Sequence, residues 1–518
     1  MTDVLLTHSN HLYFDRKQVK KMQPYPPLQT LVAAAALRER GISVGLFDAT
    51  FEAPEEGFAA ALDAHRPRLA IVCEDDFNFL SKMCLGRNRE LAFSMAAAAR
   101  SRGVTIAAHG SDASDHVLEY LNAGFDSVLI GEVETTLLEL AEGQPRSSIR
   151  GLAYRDSSGI RHNARRELRT DLGALPWPAW DLIDMDRYRK AWKDAHGYFS
   201  LNMVTSRGCP YRCNWCAKPI YGNRYHARPP LSVAREMLHL KDTFQPDHIW
   251  FADDIFALSP KWTRAFSDAV ESLGAQVPFK MQSRCDLMTR ETAETLGRAG
   301  CAEVWMGAES GSQRILDAMD KGTRVKDIYR ALDNLRGRGI RACFFLQFGY
   351  PGETWSEIEE TIRMVRETRP DDIGVSVSYP LPGTRFYERV SAELGRKSNW
   401  SDSADLEMMF RGAYSSEFYR ALAEAMHTEV RGCAVDNGAA WARVRELERG
   451  SARPPVSLPI LREGRPHAAH GGSEGMAREK GRPHATHGGS EGMASEKARP
   501  HATEGMAGEK LLGDVFVS

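Results

Sequence analysis

The chain reads as an α/β protein in which a doubly wound parallel sheet precedes a partial (β/α)6 barrel, followed by a helical extension and a disordered tail. Three observations predict this order. Apolar β-like runs alternate with helical stretches twice, once over residues 1–145 and again from Leu201, and such alternation implies parallel sheets. Polar and glycine residues follow each run of the second series, where the chemistry of a barrel collects. After Pro454 the chain changes character and then repeats itself: GRPHAAHGGSEGMAREK, then GRPHATHGGSEGMASEK, then ARPHATEGMAGEK. A tract this polar and Gly-rich cannot bury a core.

Composition bounds the function classes. With 518 residues there is room for two or three domains. Lys+Arg 67 against Asp+Glu 69 leaves no global field to recruit nucleic acid. Nine cysteines (Cys73, Cys84, Cys209, Cys213, Cys216, Cys285, Cys301, Cys343, Cys433) are scattered except for one triplet. That is no disulfide framework, and it suits a reducing, cytoplasmic compartment. The start, MTDVLLTHSN, lacks the pattern of a signal peptide. No apolar stretch reaches the ~18 residues that span a bilayer.

In residues 1–145 the strand candidates are VLLTH (4–8), ISVGLFDA (42–49), LAIVC (69–73), VTIAAH (104–109) and DSVLIG (126–131). Helix patterns such as LQTLVAAAALRERG, closing on Arg-Gly, separate them. Ligands of such sheets bind at the carboxyl ends of the strands. Ser9, Glu74, His109, Gly110 and Gly131 fall there, with Asn10, Asp75, Ser111 and Glu132 beside them. Each is also an ordinary loop or cap residue type.

Residues 146–198 read as a connector, opening on a hairpin with a Ser-Ser-Gly turn (GLAYRDSSGIRHN) and stiffened by Pro176 and Pro178. Residues 199–395 form the barrel, with strands at LNMVT (201–205), HIWFA (248–252), FKMQS (279–283), EVWMG (303–307), ACFFLQF (342–348) and IGVSVS (373–378). Asp253 and Asp254 follow the second strand, Arg284 and Asp286 the third, Glu309 and Ser310 the fourth, and GYPGET, with Gly349, the fifth. The aspartates, Glu309 and Ser310 are equally helix caps by type. Cys285, Cys301 and Cys343 sit in or beside apolar strands and read as inert core residues. Residues 396–452 form a helical extension (SSEFYRALAEAMHTEVRG), and 453–518 form the repeat tail.

After the first barrel strand comes SRGCPYRCNWC, which sets Cys209, Cys213 and Cys216 in the spacing C-x3-C-x2-C. Cysteine runs of this kind hold iron–sulfur clusters. Three thiolates on a [4Fe-4S] cluster leave one iron open, a place to chelate and reduce a small molecule. The alternative is a zinc knuckle, but structural zinc is closed by four Cys or His ligands, and no second Cys pair stands nearby.

The motif, with aromatic Trp215 just before the last thiol, resembles the radical S-adenosylmethionine superfamily over residues Leu201–Val390. The resemblance implies that the open iron chelates S-adenosylmethionine, and that reductive cleavage yields a 5′-deoxyadenosyl radical. It further implies Trp215 and Gly349 near adenine, Asp253 or Asp254 near the methionyl amino group, Glu309 and Ser310 at the ribose, and Arg284 beside substrate or carboxylate. PPLQTLVAAAALRERG, the turn His109-Gly110-Ser111 and GFDSVLIGEVETTLLEL resemble the cobalamin-binding domains that precede many such barrels. The D-x-H-x-x-G signature is missing, so cobalamin would bind without a protein imidazole on cobalt. The implied activity is cobalamin-dependent methyl transfer to an unactivated carbon of a small molecule, with radical ring closure as the alternative and a flavodoxin- or ferredoxin-type electron donor. A noncatalytic iron–sulfur protein is the reading from another class.

Overall fold

The computed structural model describes residues 2–451 apart from 79–82, 84, 398 and 433–436. The repeat tail expected over 453–518 lies outside the described residues.

The five strands expected first all form: β1 (Val4–Thr7), β2 (Val44–Phe47), β3 (Leu69–Cys73), β4 (Thr105–His109) and β5 (Ser127–Leu129). They pair in parallel in the order β2-β1-β3-β4-β5. Their side chains divide by parity. Leu5, Ala70, Val72, Ile106 and Ala108 enter one core, while Val4, Leu6, Ile71, Cys73 and Ala107 enter another. Both faces are therefore covered by helices, which is what makes near-continuous apolar strands possible. The hairpin β6 (Leu152–Asp156) and β7 (Gly159–His162) also forms, but not within a connector: β6 pairs antiparallel with β5 and extends this sheet to seven strands.

The second sheet is wholly parallel and runs in sequence order. It consists of β8 (Ser200–Met203), β11 (His248–Phe251), β12 (Phe279–Arg284), β13 (Cys301–Glu309), β14 (Arg341–Phe348) and β15 (Asp372–Val377). β8 and β15 do not pair with each other, so the barrel is open on one side. Between β8 and β11 two short strands, β9 (Ser206–Arg207) and β10 (His226–Ala227), pair antiparallel and clamp the loop that carries the cysteines. The helical extension forms as Ser416–Val430 and Gly438–Ser451. Among the described residues no helix is long and apolar enough to cross a membrane.

Candidate active site

Gly208, just before Cys209, has φ +77°, and a Cβ there would overlap the carbonyl oxygen of Arg224. Only glycine lets the chain enter the cysteine loop on this path. Inside the loop Asn214 is buried and fully engaged. Its Nδ2 donates to Ala318 O (2.8 Å) and Asp320 Oδ2 (3.0 Å), and its Oδ1 accepts from the Tyr350 hydroxyl (2.9 Å). Its backbone bonds Met319 O and Phe386 N, each at 3.0 Å. Asn214 thus ties the loop to the segments that follow β13, β14 and β15. Trp215 is half-buried against Ile315, Met319, Tyr350 and Phe386, and its Nε1 is buried with no partner among the described residues.

Cys209, Cys213 and Cys216 are partly accessible, whereas Cys73, Cys285, Cys301 and Cys343 are buried. Burial pushes the Cys216 thiol up to about 12, with Lys218 opposing and Cys213, Asp254 and Cys209 adding to it. Burial likewise raises Cys209. Metal ligation is what deprotonates such thiols. Among the described residues no three ligating side chains close on a single ion. A four-iron cluster asks each thiolate for a different iron rather than one shared centre, and three cysteines of one loop that act on one another are the donor type it takes.

The residues expected at the rim take different duties. Asp253 is fully buried. Its Oδ1 accepts from Thr205 Oγ1 (2.7 Å) and from Ser206 Oγ, and both carboxylate oxygens lie 3.1 Å from Thr205 N. Burial raises this carboxyl to about 6 against those bonds. Asp253 therefore joins the ends of β8 and β11, while Asp254 is the neighbour whose charge is felt by Cys209 and Cys216. Arg284 grips Asp286 (2.9 and 3.1 Å), donates to Lys321 O (2.9 Å) and lies 3.7 Å over the Tyr211 ring. Ser310 Oγ accepts from Ser312 N (3.1 Å) and contacts Thr361 Oγ1, a local turn ahead of the helix Gln313–Ala318, whose N-cap position is Ser312. Glu309 ends β13 at a register shift, with φ +59°. Its Oε1 is paired with buried Lys321 Nζ at 2.7 Å. A non-glycine residue held at positive φ stores strain of the kind that collects at functional sites. Gly349, at φ +75°, stands 2.9 Å (measured from a built Cβ) from Met408 Sδ and gives its N–H to Glu353 Oε2 (2.6 Å).

At the carboxyl edge of the first sheet, Ser9 donates through N and Oγ to Glu74 Oε1 (3.0 and 2.6 Å). This bridge spans the ends of β1 and β3, where the strand order reverses and ligands of such sheets bind. Among the described residues Glu74 Oε2 and His8 Nδ1 are buried without partners. His109 is buried, with Nε2 on Gly131 O (2.9 Å) and Nδ1 3.8 Å from Cys73 Sγ, so it presents no free nitrogen to a metal. Gly110 packs on Glu74, and open space faces Gly131 at φ +84°. Orphan polar atoms and open space fit the amide fringe of a corrinoid, and His109 has no nitrogen free to join it.

Sequence reasoning missed Arg207, Asn214 and Lys321. Arg207 is buried between Glu132 (2.8 Å) and Glu134 (2.5 Å) and joins the first sheet to the barrel. Burial alone would raise Glu134, but the Arg207 guanidinium overrides it and holds the carboxyl at about 2. Tyr221 completes the seam through Gln29 (2.7 Å). A charged residue in the apolar run entering a cysteine loop was the available signal for Arg207.

Residues 203–365 match the family model of the radical SAM superfamily. An uncharacterised methyltransferase of Pyrococcus horikoshii is 30% identical over 281 residues, 53% of this chain and 60% of its own length. The chain thus spans about three-fifths of that relative. Its fold is shared with TsrM of Kitasatospora setae, a radical S-adenosylmethionine methyltransferase solved with cobalamin and a [4Fe-4S] cluster (TM-score 0.61, 20% identity, 76% of this chain and 78% of that one). It is shared also with OxsB, a cobalamin-dependent radical enzyme solved with aqua-cobalamin and S-adenosylmethionine (TM-score 0.65, 17% identity, 87% and 72%). With three cysteines at the carboxyl end of an open parallel barrel, residues 203–365 are similar to the radical SAM superfamily, and the fold, an N-terminal sheet ahead of that barrel, is the one found in those two proteins.

Proposed function

We propose that this chain is a radical S-adenosylmethionine enzyme that uses a [4Fe-4S] cluster and cobalamin to transfer a methyl group to an unactivated carbon of a small molecule. The observation that carries the reading is a loop with three partly accessible thiols, two of which feel the charge of Asp254, after the first strand of an open parallel barrel. The bound groups supply one-electron cleavage of S-adenosylmethionine and carriage of the methyl group.

The protein's part is positional. Cys209, Cys213 and Cys216 would ligate three irons. Asp254 would accept from the methionyl ammonium, a charge-assisted bond. Glu309, with Oε1 on Lys321, would offer Oε2 to the ribose hydroxyls. Trp215 and Gly349 would border the adenine. Arg284, engaged with Asp286, Lys321 and Tyr211, is a positioning residue. Ser9, Glu74, Gly110 and Gly131 would edge the corrinoid, and Arg207 fixes the sheet that carries them against the barrel. The domain limits above, with the hairpin 152–162 assigned to the first sheet, and a reducing cytoplasm with a flavodoxin- or ferredoxin-type donor belong to the same reading.

The test is anaerobic reconstitution with iron, sulfide and hydroxocobalamin, followed by S-adenosylmethionine and dithionite. The expected result is release of 5′-deoxyadenosine and methionine, a corrinoid absorbance that stays with the protein, and loss of both products in Cys213→Ala. Deoxyadenosine without methyl transfer would indicate ring closure or rearrangement. No deoxyadenosine from a full cluster would indicate a noncatalytic iron–sulfur protein.

A further inference from the structure

Side chains alternate across a strand, so residues opposite one another in register share a face. On the barrel sheet, Trp250, Lys280, Glu303 and Arg341 form one such row. Two residues onward come Gln282, Trp305 and Cys343, and then Arg284, Gly307, Phe345 and Gly374. The other face, with Ile249, Phe279, Val304 and Phe344, is fully buried beneath helices. This one is not filled. Phe345 is 37% exposed although its strand has a neighbour on each side. Its ring lies 4.9 Å from that of Trp305, and a Cβ on Gly374 would stand 3.2 Å from it. Across the row Tyr25 lies 4.8 Å from Trp250.

The amino-terminal end of this face is cationic. Arg341 faces Glu303 at 3.6 Å, and Arg431 pairs with Asp372 at 3.3 Å. Lys17, Lys21 and Lys280 differ: among the described residues Lys17 reaches only Ser403 O (3.4 Å), Lys280 lies 5.7 Å over the Tyr25 ring, and none of the three is in an ion pair. The carboxylates that act on them do so at longer range: Asp15 and Asp402 on Lys17, Asp372 on Lys21, Glu303 on Lys280. Lys21 is solvent-exposed, yet desolvation together with Lys17 and Lys280 lowers its amine to about 8. Among the described residues these three ammonium groups have no ion-pair partner, and they stand at the end of an aromatic-walled opening, an arrangement that matches an anion.

We propose that this open face binds the substrate, and that the substrate is an anionic amphipath whose planar or aromatic body lies along Trp305 and Phe345 and whose carboxylate or phosphate is held by Lys21 and Lys280. Lys280 and Arg284 lie four residues apart on one strand, and at ~3.3 Å per residue the anchored end sits about 13 Å from the cysteine rim. The inference rests on the function proposed above only for what happens at the far end of the molecule.

The test uses the reconstituted protein without S-adenosylmethionine or reductant, so it is separate from the radical chemistry. 2-Naphthoate, 2-naphthylmethanol and 2-naphthylmethylammonium are compared by equilibrium dialysis. The expected result is at least tenfold tighter binding of naphthoate than of the alcohol, with the preference lost in Lys21→Gln/Lys280→Gln while the alcohol's affinity holds. Lys21→Gln alone, at an exposed position, should lose several-fold and serves if the double variant does not fold. Equal binding of acid and alcohol, tighter binding of the ammonium, or an acid preference that survives these substitutions overturns the proposal. Naphthoate preference without deoxyadenosine production would sink the enzymatic reading and leave this one standing; the reverse result would do the opposite.

Discussion

The Tyr350 hydroxyl donates to Asn214 Oδ1 at 2.9 Å, joining the turn after β14 to the middle of the cysteine loop. Tyr350 and Asn214 are buried, and the amide's other end is held by Ala318 and Asp320. Asn214→Ala leaves several buried polar groups without partners, each costing ~1–3 kcal/mol. Stability in urea should fall by about 3 kcal/mol. Iron per chain after reconstitution should fall with it, although no iron ligand has been touched. Unchanged iron content in a destabilised variant would show that the loop keeps its shape without this bond.

Lys321 and Glu309 form a buried pair. Removing one member strands the other's charge, at a cost of about 3–5 kcal/mol. Lys321→Met should therefore be strongly destabilising, and Lys321→Met/Glu309→Gln should recover most of the loss. Denaturant melts of the two singles and the double measure this coupling. If the double variant is as unstable as Lys321→Met, the pair is not the source of the effect.

Asp253 and Asp254 should separate cleanly. Asp253→Asn replaces an acceptor used by Thr205 and Ser206, so it should lower stability by about 2 kcal/mol. Asp254→Asn should weaken S-adenosylmethionine binding about tenfold, equivalent to ~1.4 kcal/mol, and cost less stability than Asp253→Asn. Equilibrium dialysis beside thermal melts reads both. An exchange of the two phenotypes would assign the roles the other way round.

Glu353 gives a pH dependence. Burial raises its carboxyl from 4.5 to about 8, against the bond from Gly349 N. The folded state then binds more protons than the unfolded one between those values, so this group makes stability fall as pH rises from 4.5 through 8. The contribution approaches ~1.4 kcal/mol per pH unit. Glu353→Gln, which keeps an acceptor for Gly349, should flatten the profile over that window. A profile as steep as the parent's would mean that Glu353 titrates elsewhere.

Both parallel sheets were legible in the sequence because every strand buried on one or both faces leaves a compact apolar run. The hairpin was legible as a hairpin, since Ser158 and Gly159 carry the turn. Its attachment to β5 was not, because edge pairing is made by backbone groups that any sequence supplies. β9 and β10, at two residues each, are too short to carry a period. The cysteine triplet announced itself by spacing alone. Asn214, Lys321 and Arg207 did not, since each acquires its role from a partner 12 or more residues away: Arg207 from Glu134, Asn214 from Tyr350, Lys321 from Glu309. Asp253 and Asp254 are chemically identical neighbours, and only the turn of the chain decides which one faces inward.

Without β6 and β7, the strand β5 would end its sheet with a row of bare amide and carbonyl groups, a template for another chain. The antiparallel pair moves that border outward to a four-residue strand whose neighbourhood bristles with Arg155, Asp156, Arg161 and His162, all exposed. Colloidal behaviour is thereby set far from the chemistry. Excising residues 152–162 should convert a dispersed protein into one that self-associates through β5, visible as growing light scattering at constant temperature.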